Sequence, residues 1–198
     1  IEYISVKIST IYSQIQALAF EHCVAVLQER LGRLYAAAAA HVFVRPDGRQ
    51  VPKFVNLDME EYRDLAITTA AFTRTLEEEC FRTHPAGIVL QAYLPDSFAI
   101  MRELTAWARE RVAGGGAPIK IRLVKGANME MELVESALMN WPLAPYDNKL
   151  DVDANYKRMV HFGMQPENVR AVHLGIASHN LFELAYARKL AERNGVTD

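Results

Sequence analysis

The chain has 198 residues, 51% of them hydrophobic and 23% charged, and a formal net charge of −2. That gives enough apolar material for one sizeable core, and the near-neutral balance argues against a nucleic-acid binder, which carries a basic excess on one face. Apolar runs are interrupted well before the roughly 20 residues that cross a bilayer.

The opening IEYISVKIS alternates like a strand over Ile4–Ser9 and lacks the basic region and cleavage site of a signal peptide. A chain that begins directly in a strand reads as cut from something longer. A long amphipathic helix follows, with Ser13 a cap candidate and Phe20, Val24, Leu27, Leu31 and Leu34 three or four apart. HVFVRPDGRQVPKFVNLD predicts a hairpin turning at Asp47-Gly48, its second arm running into a strand that ends near Asp58. Tyr62, Leu65, Phe72 and Leu76 mark the next helix, AGIVLQAYL the third strand, and Phe98, Met101, Leu104, Ala108 and Val112 its helix. After Gly114-Gly115-Gly116, KIRLV is the fourth strand, with helices over Met131–Leu138 and around 154–162. VRAVHLGIAS is the fifth strand and Leu181–Glu192 its helix. Cys23 and Cys80 fall in helical patterns as small core or half-buried residues. No disulfide is expected, which fits a cytosolic setting.

Strand and helix alternating five times predicts an α/β fold with a parallel sheet. A doubly wound sheet and a (β/α)8 TIM-like barrel both have this pattern; a whole barrel takes about 250 residues and eight strands. Side-chain alternation decides between them. Ile4, Val6 and Ile8 oppose Ser5, Lys7 and Ser9; Val55 and Leu57 oppose Asn56 and Asp58; Ile88 and Leu90 oppose Val89, Gln91 and Tyr93. Ile121 and Leu123 oppose Arg122 and Val124, and Val172, Leu174 and Ile176 oppose His173, Gly175, Ala177 and His179. A doubly wound sheet is apolar on both faces. One face carrying Lys7, Asp58, Gln91, Arg122 and His179 instead predicts a barrel interior that holds a polar ligand at the carboxyl ends of the strands. Gly126-Ala127 closes the fourth strand with two small residues, so that a flat ligand can approach the backbone.

SVKIS, NLDMEE, VLQAY, IRLVKGA and ASHN, in that order and spacing, resemble the proline dehydrogenase family, in particular the barrel domain of bifunctional proline utilization A. The most specific block is IRLVKGA. The resemblance spans residues 1–198 as one partial barrel domain of about five βα units, matching strands two to six, with an inserted hairpin near 41–52. It implies a distorted (β/α)8 barrel that binds FAD and oxidises L-proline to Δ1-pyrroline-5-carboxylate, with hydride passing to flavin N5 and electrons on to quinone. The first strand, the last two strands and a final helix bearing the carboxylate-gripping arginine pair would lie outside the chain.

The resemblance places Lys7 beside the substrate carboxylate, with Asp58 ordering that end of the pocket and Arg122 near flavin N5 as a fixed cation. It gives Gln91 to the isoalloxazine ring, Val124, Lys125, Gly126 and Ala127 to the flavin lining, and Lys149 to the dinucleotide phosphates. Ser178, His179 and Asn180 match a turn that touches FAD. Two departures stand out. The aromatic pair usually found after the IRLVKGA block is Asn128-Met129, the first of these a substrate-side position, and the threonine and arginine usually before the phosphate lysine are Asp147-Asn148. The family also implies a cytoplasmic flavoenzyme with peripheral contact at the inner membrane face for quinone, often with a fused aldehyde dehydrogenase domain.

Other chemistries compete. Lys7 at a strand end, with Arg122 as the neighbouring cation, could form a Schiff base as in class I aldolases; Lys125, facing the helix layer, is the weaker candidate. A metal site from Asp58, His173 and His179 fails on distance, since six residues of strand span roughly 20 Å. His22, His41, His84 and His161 read as surface residues. A catalytically silent fragment is the non-enzymatic alternative, because five strands leave edges that an eight-stranded barrel would pair.

Overall fold

The computed structural model describes residues 1–196. The first elements are β1 (Tyr3–Lys7), the single turn α1 (Ile8–Ile11), α2 (Phe20–Ala39), the hairpin strands β2 (Val42–Val44) and β3 (Gln50–Pro52), β4 (Phe54–Asp58) and α3 (Leu65–Glu77). Then come β5 (Ala86–Gln91), α4 (Ser97–Ala113), β6 (Ile119–Val124), α5 (Met129–Met139), α6 (Lys149–Gly163), the short α7 (Pro166–Val169), β7 (Val172–Ile176) and α8 (Leu181–Arg193). Among the described residues, five strands form one sheet in the order β1-β4-β5-β6-β7, with β1–β4 and β4–β5 paired in parallel.

The chain resolves into two compact units, Ile1–Ile88 with Arg111–Ile119, and Val89–Glu110 with the chain from Lys120 on. In the first, α2 buries Cys23, Val24, Leu27, Leu31 and Tyr35, and α3 buries Leu65, Ile67, Ala71, Phe72 and Leu76. The periodicity of these helices is what a packed apolar stripe requires. Arg111 closes this unit by donating to the carbonyls of Leu76, Phe81, His84 and Ala117. In the second, Ile121 and Leu123 are buried while Lys120, Arg122 and Val124 are half-buried, the alternation expected of a strand with one polar face. In the same unit Met159 and Val160 of α6 are buried, and so is Val172 of β7.

The expected elements are present, with four corrections. β1 ends at Lys7, where the chain turns into α1, so Ile8 is buried from a helical turn rather than a strand face, and Ile4 is exposed. Ser13 caps nothing, since α2 starts at Phe20. β5 is buried along its whole length, not on alternate residues. His84 is buried, 5% exposed, against the rings of Tyr35 and Phe81. Cys23 is buried and Cys80 exposed, both as thiols. The hairpin turns where Gly48 takes φ +83°, a conformation glycine adopts without steric cost.

Candidate active site

Two polar clusters gather the candidate residues, one in each unit. In the first, parallel register sets Ser5 beside Asn56 and Lys7 beside Asp58. Ser5 Oγ donates to Asp58 Oδ1 at 3.2 Å, and Asn56 Nδ2 donates to Asp58 Oδ1 at 3.0 Å and to Ser5 Oγ at 3.3 Å. Asn56 is fully buried. A Cβ on Gly87 would fall 2.6 Å from Asn56 Oδ1, so the neighbouring strand needs glycine there to leave the amide its place. Glu60 binds Ser9 through both its oxygens (backbone N–H 3.1 Å, hydroxyl 2.9 Å) and lies 3.7 Å from the Lys7 ammonium, whose side chain is 56% exposed. The result is a carboxylate aligned by a buried amide and a lysine with conformational room.

In the second unit, Gln91 is buried at the end of β5 and Arg122 half-buried on β6. Beyond β6 the chain passes Lys125 and turns at Gly126, φ +140°, where an added Cβ would sit 1.9 Å from the Tyr93 ring. Tyr93 N–H donates to the Lys125 carbonyl at 2.7 Å and Ala92 N–H to that of Val124 at 2.8 Å, so the strand end is laced to the segment after β5. The Lys125 side chain, as alternation predicts, enters the helix layer. It donates to Asp153 of α6, pairs with Glu183 of α8 at 2.7 Å and lies over the Tyr156 ring. Burial works against the Lys125 charge, but the Asp153 and Glu183 carboxylates outweigh it and raise its pKa. Lys125 and Lys149 hold the Asp153 carboxyl below its ordinary value. Burial, reinforced by Glu183, pushes Tyr156 up to about 12.

Lys149, highly exposed, opens α6 and also donates to Asp153. The departures before it have a physical role: Asn148 caps the helix by accepting from the Asp151 N–H at 2.9 Å, and donates to Asp147 at 2.8 Å. A cavity of about 390 Å³ is lined by Tyr93, Lys125, Gly126, Met129, Asn148 and Lys149, among others. A larger hollow of about 680 Å³ lies at Met164, Arg170, Val172 and His173, away from the carboxyl ends of the strands. Ser178 donates to Glu183 at 2.6 Å and accepts the Asn180 N–H at 3.1 Å, while Asn180 caps α8. His179, Asn180 and Ala127 are exposed, and Val124 and Asn128 half-buried. Among the described residues no His, Cys, Asp and Glu cluster could hold a metal ion.

Sequence reasoning missed Asn56, Glu60, Asp153 and Glu183. An asparagine inside an apolar strand and an aspartate one helical turn after Lys149 were the available signals. Nothing local marked Glu183.

The proline dehydrogenase family model matches residues 2–198. A curated proline dehydrogenase of Deinococcus radiodurans is 32% identical over 127 residues, which is 64% of this chain and 33% of that protein. Among solved structures, proline utilization A from Corynebacterium freiburgense is 46% identical with a TM-score of 0.90, covering 99% of this chain and 19% of that one. Proline utilization A from Bdellovibrio bacteriovorus, inactivated by N-propargylglycine, is 34% identical with a TM-score of 0.85, over 98% of this chain and 19% of that one. The chain thus spans about a third of the curated relative and about a fifth of these solved chains. With the α/β fold, the two polar clusters and a match over nearly its whole length, the chain belongs to the proline dehydrogenase family.

Proposed function

We propose that this chain is the middle of a flavin-dependent barrel that oxidises L-proline to Δ1-pyrroline-5-carboxylate. The observation that carries this is the cavity beside Gly126, where the exposed Lys149 ammonium and the first turn of α6 meet one space. A helix N-terminus with a lysine suits a diphosphate, and a strand closed by Gly126-Ala127 suits a flat ring, so the residues fit FAD. When bound, FAD supplies the hydride acceptor. Lys149 and the α6 amides would hold its phosphates, Gln91 would hydrogen-bond the ring, Val124, Gly126 and Ala127 would line that ring, and the Ser178-His179-Asn180 turn would touch the cofactor.

On the substrate side, Lys7 carries the charge that attracts a carboxylate, and Asp58, fixed by Asn56 and Ser5, orders that end. Arg122 would offer a fixed cation to the negative charge that accumulates during oxidation, and a charge already in place needs no reorganisation. By the family resemblance Asn128 occupies a usually aromatic, substrate-side position, where an amide would make the wall smaller and more polar. Schiff-base chemistry at Lys7 has less support, because the Glu60 carboxylate lies 3.7 Å from its ammonium. By the family resemblance alone, we place the whole protein in the cytoplasm with a peripheral membrane contact for quinone. A fused or associated aldehyde dehydrogenase would complete the oxidation.

Anaerobic addition of L-proline to the full-length protein, followed at the flavin absorbance bands, tests the reading. Bleaching is the expected result. A flavin spectrum indifferent to proline would point to another cyclic amine, and a protein without flavin would overturn the assignment.

A further inference from the structure

Lys125, Lys149, Ser178 and Asn180 come from three different segments: the end of β6, the start of α6 and the β7–α8 turn. Two carboxylates outside that set join them. Asp153 takes Lys125 on one oxygen and Lys149 on the other. Glu183, 5% exposed, takes Lys125 on one oxygen and the Ser178 hydroxyl on the other. We propose that Asp153 and Glu183, linked through the Lys125 ammonium, are positioning residues that hold Lys149 and the Ser178–Asn180 turn for the diphosphate end of a dinucleotide such as FAD. This rests on the flavin reading above.

The donor and acceptor count supports it. An ammonium has three N–H donors, and Lys125 spends two on these carboxylates with the Tyr156 ring on another side. What it offers a ligand is main chain, while its side chain is an internal tie. The Ser178 hydroxyl gives its proton to Glu183 and receives the Asn180 N–H, so it presents a lone pair, not a proton, to anything beside it. Lys149 is the member with donors to spare: one contact to Asp153 restrains an otherwise mobile side chain at the mouth of the cavity.

Charge makes the idea decidable. Two lysines against two carboxylates leave the cluster neutral. If Asp153 acted through charge alone, Asp153→Asn would make the site more positive and tighten the binding of an anionic ligand. A positioning role predicts the opposite, since the lysine held by Asp153 becomes free to wander.

The test uses the full-length protein stripped of flavin and titrated with FAD, binding being read from quenching of flavin fluorescence. The expected result is about tenfold weaker binding for Asp153→Asn and for Glu183→Gln. The Asp153→Asn effect should vanish in a Lys149→Ala background, because the aspartate works through that lysine. Thermal unfolding of each apoprotein checks that it is folded; Asp153→Asn, at a partly exposed site, serves if Glu183→Gln is not. Unchanged or tighter binding in Asp153→Asn, or an effect that persists undiminished in Lys149→Ala, would overturn the proposal while the flavin reading stands. A wild-type protein that binds no FAD overturns both.

Discussion

Lys7 and Lys125 both stand at the carboxyl end of a parallel strand, and their surroundings differ in kind. The Lys7 side chain is 56% exposed and has one carboxylate 3.7 Å away. Lys125 is 28% exposed, held by two carboxylates and laid over an aromatic ring. Position in the strand does not fix a lysine's role. The residue with slack can meet a substrate, and the residue whose donors are spent holds the fold around the site.

The turn after Lys125 is where this contrast breaks most easily. Gly126→Ala puts a Cβ against the Tyr93 ring at a φ that side chains avoid. Overpacking and backbone strain together should cost about 4 kcal/mol. A urea midpoint close to wild type would show that the turn adapts and is no rigid seat. In Lys7→Met and Lys125→Met the two effects should separate. Lys7→Met should lower kcat/KM for proline about 100-fold and leave stability within roughly 0.5 kcal/mol. Lys125→Met strands Glu183 without a cation and should cost about 2 kcal/mol of stability, partial exposure discounting the value for a fully buried pair. Steady-state kinetics beside chemical unfolding reads both, and equal losses in both variants would erase the distinction.

Much of this was legible in the sequence because it is periodic. Alternation put Arg122 and Lys125 on opposite faces of β6, and IKIRLV folds that way, with Ile121 and Leu123 buried between half-buried neighbours. The hairpin was legible for the same local reason, Asp47-Gly48 between two extended arms. What could not be read is what depends on three segments meeting. Asp153 and Glu183 lie 28 and 58 positions from Lys125, and neither a helical period nor a turn signal couples them. β5 misled because every residue is buried, so alternation carried no contrast there. His84 misled because its loop looked like surface until the Tyr35 and Phe81 rings covered it.

That histidine yields the smallest effect, one that concerns the first unit alone. Burial, with the Arg111 guanidinium nearby, lowers the His84 pKa from its ordinary 6.5, so the folded chain prefers the neutral ring. Its Nε2 is buried with no hydrogen-bond partner, which makes a proton there more costly still. The unfolded chain therefore binds the proton more readily than the folded one, and by linkage stability must fall as protons are added. His84's contribution is complete above the unfolded value and is lost as pH drops from there through the folded value. Urea midpoints taken from about pH 7 to about pH 5.5, above most carboxylate titration, should decline in the wild type and stay flatter in His84→Leu. The variant keeps an apolar group against Tyr35 and Phe81 and has nothing to protonate. Parallel profiles for the two proteins would show that the buried ring escapes to water before it takes up its proton.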